Sequence, residues 1–380
     1  MYRRTFFTLT IVLALAALCA RRAHTLDAGE IESLTDMQTE WGQQLGWTGS
    51  PNCSWSGVNC NDEGHVTQLF LAQKQLSGSI PESVGNFQSL TQMDFSSNQL
   101  TGSIPASIGN LQSLSILNLP LNQLNGSIPV SIGSLQSLVV LRFNQNQLTG
   151  PIPDSITNLK SLRYLWLFEN QLTGSIPNSI GNLDSLENLH LAGNQLSGSI
   201  PGSIGNLQSL SVLYLHYNKL TGSIPDSMGS LKSLSDVYLY NNQLTGSVPD
   251  SMGNLQPLDS LLLQNNNLTG VVPSWVCTNQ YKFGFSLQNN QFACPLPDCC
   301  SSTGNGLCTP CFDVGGTPSG DGFPYAIVFG SLALVFGVVI LIVIGLLVWK
   351  QFYRTPDQQG RFSDPPTVGK NGNEKDPLLA

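Results

Sequence analysis

Trp166, His190, Tyr214 and Tyr238 stand 24 residues apart, and Phe168, His216 and Tyr240 hold the position two residues further on in their copies of one pattern. Two histidines on one face could exchange protons with a substrate or ligate a metal. Aromatic rings in one register could instead hold a ligand. The first chemistry finds no partners: no positioned serine nucleophile, carboxylate pair or third metal ligand accompanies His190 and His216. The other two histidines, His24 and His65, fall in the leader and the first repeat, and the glycines follow the 24-residue period as turn residues rather than forming a phosphate loop. The chain therefore reads as non-catalytic, with no cofactor and no metal, and the ring-bearing positions read as a binding surface.

The element that positions these residues is a repeat. Asn98, Asn122, Asn146, Asn170, Asn194, Asn218, Asn242, Asn266 and Asn290 recur every 24 residues within the frame L-x-L-x-x-N-x-L-x-G-x-I-P-x-x-I-G-N-L-x-x-L. A fixed period with L-x-L-x-x-N-x-L is the signature of a leucine-rich-repeat solenoid. In L-x-L the two leucines point inward and the residue between them points out, because side chains alternate along a strand. The Asn amide carries donors and an acceptor for backbone groups left open where the chain turns inward. Glycine supplies the turn, Ile-Pro runs extended with φ fixed, and S-I-G-N-L returns as a short 3₁₀ segment. The expected class is α/β: about ten 24-residue units over residues 66–297. Lys74 replaces Asn in the first unit, and terminal units depart from the frame as end units do.

An open stack needs lids. Residues 27–65 read as an N-terminal cap, with Ile31, Leu34, Met37 and Trp41 near one helical face and a short Cys53–Cys60 loop as a disulfide staple. Cys277, Cys294, Cys299, Cys300, Cys308 and Cys311 crowd the other end, through a cysteine-rich juxtamembrane segment at 298–324. Their pairing stays open among 15 arrangements, and a zinc site at Cys308 and Cys311 is the rival to disulfides there.

The ends place the chain at a membrane. Arg3 and Arg4 before "TFFTLTIVLALAALCA" predict a cleaved signal peptide over 1–20. Tyr325–Trp349 is a run of 25 residues without a charge, enough to cross a hydrocarbon core of about 30 Å as one helix. Lys350 and Arg354 put the tail, 350–380, in the cytosol, where its polar, Pro- and Gly-rich composition predicts disorder. A single-pass plasma-membrane protein with an extracellular N-terminus follows. Ala326, Gly330, Ala333 and Gly337 offer a small-residue face for a co-receptor helix. Glu374 with Leu378-Leu379 resembles an acidic dileucine sorting signal read by clathrin adaptors, which implies endosomal cycling. Asn52, Asn125 and Asn267 begin N-x-S/T glycosylation sequons. A net charge of −8 argues against nucleic acid as a partner.

The G-x-I-P frame preceded by "CSWSGVNC" resembles plant-type leucine-rich-repeat receptor-like proteins and receptor-like kinases over about residues 28–297. The resemblance implies a right-handed curved solenoid with a parallel sheet on the concave face, a second short strand at "GSIP" in each repeat, and recognition of peptides, small hormones or glycans, or pairing with a co-receptor. Soluble relatives inhibit cell-wall polygalacturonases. No kinase follows the span, and the cysteine-rich stretch exceeds the plain cap of the family.

Aligning the units gives the outward rows. The residue between the two frame leucines reads Phe70, Asp94, Asn118, Arg142, Trp166, His190, Tyr214, Tyr238, Leu262, Ser286; aromatics crowd units five to eight. Tyr164, Phe168, His216, Tyr217 and Tyr240 flank this stripe, Arg142 stands at its rim, and Ala192 with Gly193 predicts a dent within it. The expected function is a non-catalytic receptor-like protein binding an extracellular peptide, glycan or protein ligand on these residues. Adhesion to matrix, wall polymer or a neighbouring cell, and inhibition of an extracellular hydrolase, are the alternatives.

Overall fold

The computed structural model describes residues 26–277 and 284–293. The signal peptide at 1–20, Cys294, Cys299, Cys300, Cys308 and Cys311, the juxtamembrane segment 298–324, the span 325–349, and the tail with Glu374, Leu378 and Leu379 lie outside the described residues. Among the described residues no helix is long and apolar enough to cross a membrane.

Each unit forms a short strand that begins just before its frame L-x-L, five residues long in the first unit and three in the others, and eleven strands make one sheet in sequence order, from Val58–Cys60 to Gly284–Ser286. The first pair is antiparallel and all later pairs are parallel. Register follows the 24-residue count directly, so Arg142, Trp166, His190, Tyr214 and Tyr238 stand side by side. The frame leucines point the other way and are fully buried, as with Leu165, Leu167, Leu189 and Leu213.

The Asn positions do what their chemistry predicts. Asn170 Nδ2 donates to the carbonyls of Phe143 (3.0 Å), Leu167 (3.1 Å) and Phe168 (3.3 Å), and its Oδ1 accepts from Leu148 N at 3.0 Å. Each amide thus ties its own turn to the unit before it. The residue just ahead of the frame Asn has φ between +53° and +63° in units two to ten, including Leu121, Glu169 and Tyr217. Left-handed backbone is unfavourable for such side chains, so the ladder and the stack hold it in place.

Past Gly150 (φ +74°) the chain forms short lateral pairings, such as Thr149–Pro151 with Gln171–Thr173. It then closes through 3₁₀ turns that start just after proline, such as Ala106–Asn110. The glycine in these turns is required by close approach. A Cβ on Gly109 would lie 2.5 Å from the Ser131 carbonyl oxygen of the next unit. Unit four carries Thr157 instead. Its hydroxyl donates to Asp154 O (2.8 Å) and accepts from the Ser179 hydroxyl (2.9 Å), and the next turn is cut to Ile180–Asn182, beginning after Ser179 rather than after Pro177. The added side chain displaces the start of its neighbour.

The cap is the helix Ala28–Leu45, opened by a capping box between Asp27 and Glu30 and closed by Gly46 in left-handed conformation. Leu34, Met37 and Trp41 are fully buried, but Ile31 is 43% exposed. Glu30 takes the inward place, 1% exposed, with its Oε1 accepting from Val66 N at 2.8 Å. A hydrogen bond to the second strand of the sheet, Val66–Phe70, outweighs the helical pattern there. Cys53 and Cys60 form the expected disulfide, and Cys277 is disulfide-bonded too.

Candidate ligand-binding face

The strand Tyr164–Trp166 and its successors Asn188–His190, Val212–Tyr214 and Asp236–Tyr238 present the aromatic residues on the outward face of the long sheet. Strand neighbours lie about 4.8 Å apart, close enough for rings in adjacent units to pack flat. Tyr214 and Tyr238 stack with centroids 4.2 Å apart, Phe168 and His190 at 4.0 Å, and His216 and Tyr240 at 4.5 Å. His190 meets Tyr214 at 5.1 Å in a T-shaped contact, and Trp166 lies 6.3 Å from Phe168. Arg142 places its guanidinium carbon 4.2 Å over the Trp166 ring. Tyr217, 57% exposed, touches His216 and Tyr240 from the rim.

Nine of the ten sequence-derived residues are therefore joined in one chain of contacts. The tenth, Tyr164, opens the same strand as Trp166, with the Arg163 guanidinium carbon 5.7 Å from its ring. Arg163 itself pairs with Glu187, Nε to Oε1 2.6 Å. The dent expected at Ala192 is not open: that residue is only 4% exposed. Small side chains in one unit leave room that rings of adjoining units can lean into. Sequence reading also missed Asn188, whose Oδ1 accepts from Trp166 Nε1 at 3.0 Å and fixes the indole. Its place beside Tyr164 in the 24-residue register was the available signal.

The face is electrically quiet. Burial holds the His190 imidazole down at about 3, with His216 close by adding to the effect, and burial holds His216 at about 4. Both rings are neutral at ordinary pH, each with one donor and one acceptor. His216 Nδ1 is buried with no protein hydrogen-bond partner. Burial, then the nearby Tyr238, pushes the Tyr214 hydroxyl well above the usual phenol range, and burial raises Tyr240 as well. Seven rings have one face against a neighbour: six in the three stacked pairs, and Trp166 under Arg142. Their opposite faces, edges and hydroxyls and the exposed Tyr217 remain for a ligand.

Asp27, Glu30 and His65 bring candidate metal-ligating atoms within 4.8 Å of one another. Both carboxylates are already engaged: Asp27 Oδ1 accepts from Glu30 N at 2.7 Å, and Glu30 accepts from Val66 N and Asp27 N. A helix N-terminus also disfavours a cation, so this group reads as a cap. Asn52, Asn125 and Asn267 are all exposed.

A family model described as a leucine-rich repeat region matches residues 154–270, and the single leucine-rich-repeat model matches 89–111 and 137–159. A receptor protein kinase, WSS1, from Oryza sativa subsp. japonica is 36% identical over 83 residues, 21% of this chain and 9% of its own. The PEPR1–AtPEP1 structure is 33% identical with TM-score 0.64, over 70% of this chain and 42% of that one. The Arabidopsis receptor kinase HAESA, solved with the peptide hormone IDA and the co-receptor SERK1, is 28% identical with TM-score 0.55, over 75% and 57%. This chain thus spans a small fraction to little more than half of each relative's length. The described chain is a leucine-rich-repeat solenoid, similar in fold to plant receptor ectodomains.

Proposed function

We propose that this chain is a non-catalytic, receptor-like cell-surface protein. Units five to eight bind an extracellular peptide, and output passes through a partner such as a co-receptor. The cleaved signal, the single span and the tail are parts of this reading. The observation that carries it is the contiguous ring cluster from Trp166 to Tyr240 on the outward face of the sheet. Cross-strand ring pairs each stabilise a sheet by about 0.2–1 kcal/mol, which accounts for a pair or two but not for nine residues confined to five adjoining units. Aromatic clusters with a polar rim are what interfaces present.

Two considerations favour a peptide. Sugars stack on open ring faces, whereas one face of each stacked ring here is covered by its neighbour. Structural neighbours include HAESA in complex with a peptide hormone and a co-receptor. The test is binding to peptide and glycan arrays, beside a W166A/Y214A variant of matched stability. Loss of two central aromatic anchors should weaken a specific peptide at least about thirtyfold. A glycan lost in the variant would replace the peptide assignment. Hits that the variant retains would put the site elsewhere, and binding to wall polymer alone would favour adhesion.

A further inference from the structure

The flank of the solenoid departs from its own pattern in units three and four. An open hollow of about 360 Å3 lies there, lined by Ser127, Ile128, Pro129, Val130, Pro151 and Pro153. Val130 is 73% exposed, the most exposed of the large hydrophobics among the described residues. At its position other units carry Glu82, Ala106, Asp154, Asn178, Gly202, Asp226 and Asp250, and where Pro151 stands units one to three and five to eight carry serine. Two polar positions have thus become apolar side by side.

A third departure adjoins them. Asn125 replaces the Thr or Ser found at 101, 149, 173, 197, 221, 245 and 269, and it opens the sequon Asn125-Gly126-Ser127. Ser127, the hydroxyl residue of that sequon, is also a wall of the hollow. Asn125 is exposed, and its backbone is held by the bond from its N to Gly102 O at 2.8 Å and by the bridge to Ser103. From Asn125 to Pro129 the chain covers at most about 14 Å, within reach of the first sugars of a linked oligosaccharide. The same pairing recurs once: Val271, 58% exposed, follows Asn267 by four residues.

We propose that Asn125 carries an N-linked oligosaccharide whose first sugars lie against Val130, Pro129 and Pro151 and cover the hollow. A pyranose has an apolar face that suits proline and valine, and its hydroxyls stay in water. The hollow is neutral, as such a ligand requires. Hydrophobic side chains exposed on a secreted surface are thereby masked by the chain's own modification. The proposal rests on the extracellular placement proposed above.

The experiment uses the full chain expressed in glycosylating eukaryotic cells. Enzymatic release of N-glycans from the native protein is followed over time, site by site, by mass spectrometry of the peptides. The wild type is compared with V130D/P151S, which installs residues that other units carry at those positions and so keeps the fold. Asn125 is expected to be occupied and to release its glycan about tenfold more slowly than Asn52, a factor that burying about 50–60 Å2 of apolar surface supports. In V130D/P151S, Asn125 should release as fast as Asn52. Equal rates in the two chains overturn the seating of the glycan. An unmodified Asn125 beside a modified Asn52 or Asn267 overturns the site and leaves the extracellular reading standing. If no sequon is modified, the extracellular placement fails and the proposal with it.

Discussion

Acid should destabilise this solenoid through two particular side chains. His190 and His216 have folded pKa values of about 3 and about 4, against about 6.5 in the unfolded chain. Between those limits the unfolded state binds more protons than the folded one. Stability from this source is therefore complete above about pH 6.5 and is lost as pH falls towards the folded values. Lowering pH from 7 to 5 should remove about 2 kcal/mol per histidine, or about 3–4 kcal/mol for the pair. Raising either folded value by a full unit changes that sum by less than about 1 kcal/mol, because pH 5 still lies at or above it. The comparison is between wild type and H190Q/H216Q, each unfolded in urea at pH 7 and pH 5 with tryptophan fluorescence as readout. Other titrating groups are common to both chains and cancel. The wild type should lose about 3–4 kcal/mol more than the variant over this interval. Parallel losses, within about 1 kcal/mol, would refute the claim that packing holds the imidazoles neutral.

Asn170→Leu would orphan Leu148 N and remove a shared donor from three buried carbonyls, so a loss of about 3–5 kcal/mol in urea unfolding is expected; a loss under about 1 kcal/mol would mean the ladder is not what joins the units. Tyr217→Asn relieves a bulky residue at φ +54° with the residue type that units eight to ten carry there, so stability should stay level or rise by up to about 1 kcal/mol. Peptide binding should weaken in the same variant, and a clear drop in stability would count against strain at that position. Thr157→Gly frees Asp154 O and the space beside Ser179, and a crystal structure should then show the unit-five turn starting after Pro177 as it does elsewhere. An unchanged turn would remove Thr157 as the cause.

Much of this was legible because the repeat converts sequence spacing into spatial register. Counting by 24 puts His190 beside Trp166 and Tyr214, and the sheet pairs them so. The Asn amides could be assigned partners in advance because the frame fixes which backbone groups are open. What could not be read depends on contacts outside the frame. No helical pattern says that Glu30 will turn inward to meet Val66 N, 36 residues away, and leave Ile31 in water. Nor does a small residue in one unit announce that it will be buried, as Ala192 is. The face-to-face packing of Phe168 with His190 is likewise a diagonal choice between units, invisible to a row-by-row alignment.

The two surfaces argued above should act independently, and the reason is the architecture. In a solenoid each unit contacts only its neighbours, so energetic coupling fades within a unit or two. The hollow at Val130 and Pro151 lies on the flank of units two to four and meets the ring cluster at unit four alone, which carries Arg142 on the face of the long sheet; every other residue of the cluster stands in units five to eight. Ala192 and Gly193 interrupt the second row of bulk between Phe168 and His216, and there the first-row ring of His190 bridges the gap at 4.0 Å from Phe168 and 6.0 Å from His216. Each ring limits the rotation of the next, so the face is ordered before a ligand arrives and binding loses less side-chain freedom. A substitution inside this chain of rings should therefore reach several contacts at once, while V130D/P151S should leave ligand affinity unchanged within a factor of about two, as additivity for separated sites requires. A larger change in peptide binding from the flank variant would show that the stack transmits strain along its length, contrary to the nearest-neighbour picture.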